Sequence, residues 1–151
     1  MSTLAESLRQ RRRARAMTQR ELAERAGVPQ PNVSAYESGR RVPSGETLQR
    51  LDAALAETPA ERLASARQQL LASAEARGLT RVRVFGSFAR GDASPTSDVD
   101  LLVHPGPESS VFELAGFLAD AERMLGMRVD VVSDRGSGPT MDRIIAEAVA
   151  L

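Results

Sequence analysis

The sequence predicts a protein of two domains, in which an all-α bundle of short helices is followed by a small α/β (α+β) domain with a mixed sheet. In residues 1–58, capping residues and leucines at the spacing of a core face predict helices. In residues 59–151, short valine-rich runs alternate with helical segments, which indicates strands packed against helices. The dipeptide Thr58-Pro59 lies between the two patterns, and proline is favoured in the first turn of a helix. We therefore expect domains at residues 1–58 and 59–151.

The composition excludes several classes of protein. Hydrophobic residues make up 42% of the 151 residues, which is enough for packed cores, and the absence of cysteine excludes disulfides, zinc–thiolate sites and thiol chemistry. No apolar run is long enough to cross a bilayer and the N-terminus lacks a signal-peptide core, so we expect a cytoplasmic protein without a membrane partner. Residues 1–58 carry 10 Arg and 7 acidic residues, a balance of +3, whereas residues 59–151 carry 10 Arg and 13 acidic residues, a balance of −3. The two halves should therefore have different partners.

The N-terminal half begins with a basic helix. Ser2 is a plausible N-cap, and the helix should extend to about Arg15 with Leu4 and Leu8 on one face. The arginines on its other faces are Arg9, Arg11, Arg12 and Arg13. A basic cluster of this kind is usually a solvated face.

Two short helices joined by a tight turn follow the basic helix. Thr18 and Glu21 form a capping box for the first of them, which Gly27 ends. The second is expected around residues 32–38, and a further helix over residues 44–55. The pair forms a helix-turn-helix.

Residues 17–55 resemble the phage-repressor-like (XRE/Cro-type) class of bacterial helix-turn-helix regulators. The matching residues are Thr18, Gln19, Glu21, Leu22, Ala23, Gly27, Val28, Val33, Ser34, Glu37, Gly39, Pro43, Ser44, Thr47 and Leu48. In that class the exposed N-terminal face of the recognition helix enters the major groove. The resemblance implies that this domain binds operator DNA as a homodimer.

The same resemblance implies which side chains meet DNA. Those that would face base edges are Gln30, Pro31, Asn32 and Ala35, whereas Gln19 would lie beside a phosphate. Glutamine and asparagine pair well with adenine, while proline and alanine offer only apolar contact, for example to a thymine methyl. The side chains expected on phosphates are Arg20, Arg40 and Arg41. The alternative is a helix-turn-helix that makes only protein contacts.

The second half centres on residues 86–103, in which a Gly-Ser pair leaves one predicted strand and an Asp-x-Asp enters the next. The two strands are expected at residues 81–85 and 99–103. Because successive strand side chains point to opposite faces, Asp98 and Asp100 should project from one face, with apolar residues buried behind them.

These polar residues predict a site for a metal and a nucleotide. Two adjacent carboxylates repel each other unless a cation lies between them, and hard oxygen ligands suit Mg²⁺ or Mn²⁺, which commonly hold nucleotide phosphates. Gly86 would let the backbone approach a phosphate closely, and Ser87 offers a hydroxyl and an N–H beside a short helical turn over residues 88–90. Gly-Ser alone, or Asp-x-Asp alone, is more often structural, but their joint occurrence favours the site.

The remaining segments complete the second domain. The expected elements are helices at residues 60–77, 110–125 and 140–151 and a strand at residues 127–132. Thr140 should cap the last helix, and His104, the only histidine, is expected in a surface turn. Asp130 should point away from the apolar residues on either side of it.

Residues 86–103 resemble the minimal nucleotidyltransferases of the DNA polymerase beta superfamily, whose motif is Gly-Ser, a spacer of about ten residues and Asp-x-Asp on a strand. A small subclass of that family also matches at Ala89-Arg90-Gly91 and at residues 97–101. The resemblance implies ATP as substrate and two Mg²⁺ or Mn²⁺ ions, and the catalytic and metal-binding residues that it implies are Asp98, Asp100 and Asp130.

The resemblance also assigns the nucleotide-binding residues. Gly86 and Ser87 would steady the outgoing pyrophosphate, and Arg90 would either neutralise phosphate charge or pair within the fold. The alternative for Asp130 is a charge that protects an edge strand from aggregation.

The predicted function combines the two halves. The second domain is small and shows no added substrate-binding domain, so we expect its acceptor to be another protein. Minimal nucleotidyltransferases of this size resemble antitoxins that bind HEPN-domain ribonuclease toxins and transfer AMP to a tyrosine, and a repressor-like domain implies autoregulation of the operon. One alternative is a transcription regulator whose nucleotidyltransferase fold only binds a nucleotide or a partner, against which the three acids argue. The other is an enzyme acting on a small molecule such as an aminoglycoside, against which the missing substrate domain argues.

Overall fold

The computed structural model describes residues 1–151, which divide into two units, Met1–Glu57 and Thr58–Leu151. The first unit is entirely helical. Its helices are α1 (Leu4–Ala14), α2 (Gln19–Ala26), α3 (Gln30–Glu37) and α4 (Gly45–Leu55). The predicted capping box of Thr18 and Glu21 begins α2, and Gly27 ends it in the left-handed conformation with a φ of 63°.

The starts of α1 and α3 differ from the prediction. The N-cap of α1 is Thr3 and not Ser2, because only Thr3 has a glutamate three residues later with which it forms a capping box. Helix α3 begins at Gln30, two residues earlier than expected, and has Pro31 in its first turn. Proline is tolerated there because the N–H groups of the first turn have no partner within the helix.

The core of the first unit draws on all four helices. Its buried members are Leu8, Met17, Leu22, Ala23, Ala26, Val28, Val33, Tyr36, Leu51 and Leu55. Arg12 was predicted on a solvated face, but only 9% of it is exposed. Its burial is possible because its guanidinium is paired with Glu37.

The second unit is a four-stranded mixed sheet with helices, as predicted. Its elements are α5 (Pro59–Ala76), β1 (Leu79–Phe85), α6 (Gly86–Arg90), β2 (Val99–Pro105), α7 (Val111–Leu125), β3 (Val129–Ser133), α8 (Pro139–Glu147) and β4 (Val149–Ala150). The strand order is β3-β2-β1-β4, in which β1 is antiparallel to β2 and β4 and β2 is parallel to β3. Across the whole structure, no helix has both the length and the apolar character that crossing a membrane requires.

Helices α5 and α7 pack with one face of this sheet into a single core. Its buried members are Leu63, Ala66, Leu70, Ala74, Leu79, Val82, Val84, Val99, Leu101, Val103, Phe117, Ala121, Leu125 and Val129. Val99 and Leu101 are fully buried, as the Asp-x-Asp pattern predicted. Because side chains alternate along a strand, Asp100 lies on the face of β2 that is turned away from these two helices.

The C-terminal segment differs from the prediction of one helix that reaches Leu151. Helix α8 ends at Glu147, and Val149–Ala150 form β4 on the edge of β1. The N-cap of α8 is Gly138 rather than Thr140, which lies inside the helix. A strand of two residues is too short to give a period-two pattern, so the sequence contained no signal for it.

Candidate functional site

Strand pairing brings the predicted carboxylates of the second unit together. Asp100 on β2 is directly opposite Asp130 on β3 and, on its other side, opposite Phe85 at the end of β1. Asp98 lies one residue before β2. Asp98 and Asp100 are half-buried, whereas Asp130 is exposed. The three acids therefore lie at one end of the sheet, where β1 ends and β2 and β3 begin.

The surroundings of Asp100 disfavour its charged form. Burial raises the pKa of Asp100, and the negative charges of Asp130 and Asp98 raise it further, while Arg90 opposes the shift. Only a long ion pair of 4.0 Å, from Arg128 Nε to Asp98 Oδ1, brings a basic side chain close to Asp98. An added positive charge beside Asp100 would therefore stabilise its ionised form.

The chemistry of these donors fits a hard divalent cation such as Mg²⁺ or Mn²⁺. The side chains do not, however, converge into a metal-binding cluster, since no group of three or more His, Cys, Asp or Glu residues in the structure has that arrangement. Neighbouring carboxylates lower their mutual repulsion by separating. The metal role of Asp98, Asp100 and Asp130 therefore stays a prediction.

The segment Gly86–Arg90, which contains the predicted nucleotide-binding residues and is called the nucleotide loop below, lies directly against Asp100. Helix α6 starts at Gly86, earlier than the predicted turn, and follows β1 without an intervening residue. Gly86 has a φ of 68°, and a Cβ at this position would collide with the Asp100 carboxylate. Only glycine therefore allows the backbone to follow this path beside the acid.

The other two predicted nucleotide-binding residues lie in the same short helix. Ser87 is half-buried, and its carbonyl accepts the Asp92 N–H at 3.0 Å. The exposed Arg90 pairs with Asp92 at 3.4 Å and, through Nη1, with Glu147 Oε2 at 3.6 Å. Arg90 thus makes ion pairs within the fold, which was one of its two predicted roles.

Sequence reasoning missed Glu147, the last residue of α8. Its Oε1 accepts the Gly86 N–H at 2.8 Å, so it contacts the nucleotide loop directly. Its charge also contributes to the raised pKa of Asp100, after burial and the charges of Asp130 and Asp98. No local pattern marks Glu147, because the contact joins residues that are 61 positions apart.

Sequence reasoning was wrong about His104, which lies within β2 and not in a surface turn. Its Nδ1 is 2.8 Å from Asp134 Oδ1, and Arg83 Nη2 donates to Asp134 Oδ2 at 2.6 Å. Burial alone would raise the pKa of Asp134, but the hydrogen bonds from Arg83 and His104 outweigh it and lower that pKa. His104 thus contacts Asp134, the residue directly after β3.

In the first unit, α3 presents the predicted base-reading residues at its N-terminal end. Gln30 and Pro31 are exposed, and Asn32 and Ala35 are half-buried. Gln30 Nε2 donates to Gln19 Oε1 at 3.2 Å, and Gln19 Nε2 donates to Glu37 Oε2 at 3.0 Å. The two glutamines assigned to DNA are therefore held by one chain of hydrogen bonds.

The three arginines assigned to phosphates are all exposed. Arg40 Nε donates to Ser38 Oγ at 2.9 Å, and Arg41 Nη1 donates to Asn32 Oδ1 at 3.3 Å. Arg20 pairs with Glu24 at 3.1 Å one helical turn away. Exposed pairs of this kind contribute little to stability, so these side chains can exchange their partners for phosphates at small cost.

A buried ion pair lies beneath the side chains that are predicted to contact DNA. Arg12 Nε donates to Glu37 Oε1 at 2.6 Å, Nη2 donates to Oε2 at 3.0 Å, and Nη1 donates to the Met17 carbonyl at 2.6 Å. Burial would raise the pKa of Glu37, but the hydrogen bonds from Arg12 and Gln19 hold it below its usual value. The bidentate geometry fixes the carboxylate that orients Gln19.

Known protein families account for both units. Residues 8–62 match the family model described as helix-turn-helix, and residues 66–148 match the one described as nucleotidyltransferase domain. A solved structure provisionally titled a minimal nucleotidyltransferase superposes with a TM-score of 0.58 and 38% identity, covering 64% of this chain and 99% of its own.

Two named relatives are similar to part of this chain. A Methanocaldococcus jannaschii protein, provisionally named a protein adenylyltransferase, is 40% identical over 73 residues, which are 48% of this chain and 78% of that relative. The protein adenylyltransferase MntA of Thermococcus cleftensis is 40% identical over 55 residues, 36% of this chain and 56% of that protein. The predicted fold and both predicted resemblances are confirmed: the chain belongs to the nucleotidyltransferase domain family and carries a helix-turn-helix domain in its N-terminal part.

Proposed function

We propose that this protein is a DNA-binding, antitoxin-like regulator whose nucleotidyltransferase unit transfers AMP from ATP to a partner toxin protein. The observation that carries the proposal is the position of Asp100 between Asp130 on β3 and the Gly86-Ser87 loop at the end of β1. The names of the two relatives support AMP as the transferred group and a protein as the acceptor.

The transfer would proceed by in-line displacement. The oxygen of an acceptor hydroxyl forms a bond to the α-phosphorus of ATP, the bond from that phosphorus to the bridging oxygen breaks, and pyrophosphate leaves. The hydroxyl proton passes to one of the carboxylates or to solvent. The energetic work lies in positioning the hydroxyl and the phosphate and in balancing their charge.

The residues at this end of the sheet would each have a separate role in the transfer. Asp98, Asp100 and Asp130 would hold Mg²⁺ or Mn²⁺, which supplies neutralisation of the triphosphate and activation of the hydroxyl. Ser87 would donate its hydroxyl and N–H to the leaving pyrophosphate. Arg90, which now pairs with Asp92 and Glu147, would turn to the phosphates.

The first unit would bind an operator as a homodimer and repress the operon that encodes the toxin. The exposed Gln30 and the hydrogen bond that holds it to Gln19 support base reading by α3. The half-sites should lie about one helical turn, roughly 34 Å, apart. Footprinting upstream of the gene should reveal such a site, and the absence of any protected sequence would contradict this part of the proposal.

A HEPN-type toxin encoded by the adjacent gene is the proposed acceptor, and co-expression tests it. Wild-type protein should protect cells and increase the intact mass of the toxin by AMP, whereas the double variant Asp98→Asn, Asp100→Asn should do neither. Asp142→Asn, an exposed acid on α8, is the matched control and should behave as wild type. If the wild type inhibits an unmodified toxin, the protein is instead a regulator whose nucleotidyltransferase fold only binds its partner.

A further inference from the structure

The C-terminal strand fixes the end of α8 beside the nucleotide loop. Val149 and Ala150 pair with Val84 and Arg83 of β1, and the Leu151 N–H donates to the Val82 carbonyl at 3.1 Å. These bonds hold the last turn of α8 along β1, the strand that leads into the loop.

Glu147 uses both of its carboxylate oxygens on that loop. Oε1 accepts the Gly86 N–H at 2.8 Å, and Oε2 lies 3.6 Å from Arg90 Nη1. The glutamate side chain is 29% exposed, so the loop partly shields these contacts from water.

Gly86 is therefore confined on two sides. Its N–H is bound by Glu147, and the space that a Cβ would occupy is filled by the Asp100 carboxylate. If the N–H lost its acceptor, the loop could move away from Asp100, and Ser87 and Arg90 would move with it. Glu147, from the far end of the unit, thus adds a contact that holds the loop beside the acids.

We propose that Glu147 is a positioning residue for the nucleotide. It holds Gly86 where Ser87 and the carboxylates can bind one triphosphate, and it does not touch the phosphates itself. The inference rests on the proposed function, because it assigns Glu147 to the same site. The hydrogen bond to Gly86, more than the charge of the carboxylate, is the contact that positions the loop.

The test uses the full chain with three variants. Glu147→Ala removes the acceptor, Glu147→Gln keeps an oxygen for the Gly86 N–H without the charge, and Asp142→Asn removes a charge from the exposed face of the same helix. Calorimetry with Mg²⁺ and a nonhydrolysable ATP analogue measures the dissociation constant. Hydrogen exchange measures the protection of the amides over residues 86–90.

Glu147→Ala should raise the dissociation constant on the order of tenfold, equivalent to about 1.4 kcal/mol, and should increase exchange within residues 86–90. Glu147→Gln should restore both quantities to near the wild-type values, and Asp142→Asn should change neither. A merely structural role would not give this rescue together with a local change in exchange. If Glu147→Ala does not fold, Glu147→Gln still tests the inference. The inference requires near-normal nucleotide binding and amide protection in this variant, and the loss of either would overturn it.

Several results would overturn the inference, and they differ from failure of the proposed function. Normal binding by Glu147→Ala overturns the positioning role and leaves the nucleotidyltransferase proposal intact. Tighter binding by Glu147→Ala overturns it too, since the carboxylate would then compete with the phosphates. If the wild type binds no nucleotide, both the proposed function and this inference fail.

Discussion

Replacing Gly86 with alanine should impair nucleotide transfer far more than it impairs folding. Gly86 has a φ of 68°, and a Cβ there would collide with the Asp100 carboxylate. Gly91 provides the matched control, because it has a φ of 78° and an added Cβ would meet no atom within 4 Å. Either alanine enters the left-handed region at a cost of about 1–2 kcal/mol. Only Gly86→Ala also displaces Asp100.

Displacing the Asp100 side chain costs little free energy but should slow the transfer reaction. Turning the Asp100 side chain by about 30° from its preferred rotamer costs about 0.5–1.5 kcal/mol. Gly86→Ala should therefore lower the free energy of unfolding by roughly 1.5–3.5 kcal/mol, against about 1–2 kcal/mol for Gly91→Ala. Misplacement of a catalytic group by about 1 Å can reduce the rate on the order of 100-fold.

Urea unfolding and a transfer assay on the same preparations separate the two effects. Gly91→Ala should retain near-normal transfer when it is folded, whereas Gly86→Ala should lose about two orders of magnitude. Equal transfer by the two folded variants would refute the reasoning, because the contact between Gly86 and Asp100 would then have no functional consequence.

Other substitutions test the remaining contacts. Arg12→Met should lower the free energy of unfolding by about 3–5 kcal/mol in urea, because it leaves the buried Glu37 carboxylate without an opposite charge, and Arg12→Met with Glu37→Leu should recover most of it. Since the pKa of Glu37 lies below its usual 4.5, the stability it contributes is present above about pH 4.5 and is lost as the pH falls through the lower folded pKa. Arg40→Ala with Arg41→Ala should weaken binding to all DNA sequences and reduce the slope of log K against log salt by about 1.8 per subunit, or about 3.6 for the homodimer, in gel-shift titrations. Hydrogen bonds from Arg77, Ser73 and Arg123 lower the pKa of Asp120 to about 2. Asp120→Asn should therefore remove stability that is present above the ordinary pKa of 3.8 and is lost as the pH falls toward 2 in an acid titration.

Each of these expectations has a contradicting result. The ion-pair argument fails if the Arg12 single variant and the double variant unfold at the same urea concentration. The phosphate assignment fails if the arginine variants lose affinity for the operator alone. The Asp120 argument fails if Asp120→Asn and the wild type show the same stability difference between neutral pH and pH 3.

Local signals carried most of the fold prediction. The capping box of Thr18 and Glu21 and the stop at Gly27 each depend on a few adjacent residues, so the sequence shows them directly. The alternation around Asp100 depends in the same way on strand geometry, and the structure has the expected buried neighbours. The sequence predicted that Gly86 would let the backbone approach a phosphate, whereas the contact of Gly86 with the Asp100 carboxylate was found only in the structure.

The missed features are contacts between distant parts of the chain. Arg12 and Glu37 are 25 positions apart, and Gly86 and Glu147 are 61 positions apart. Periodicity shows which face of a helix is apolar but not which charged side chain enters the core with a partner. The same limit applies to His104, whose partner Asp134 is 30 positions away. Tertiary contacts therefore determine where these side chains lie.

Transfer from labelled ATP tests the central claim most directly. Purified protein, Mg²⁺ and the product of the adjacent gene are incubated with ATP labelled at either the α- or the γ-phosphate. We predict that the α label becomes attached to the acceptor and the γ label leaves as pyrophosphate, and that Asp98→Asn with Asp100→Asn abolishes both. Attachment of the γ label, or inhibition of the acceptor without attachment of either label, would contradict nucleotidyl transfer at this site.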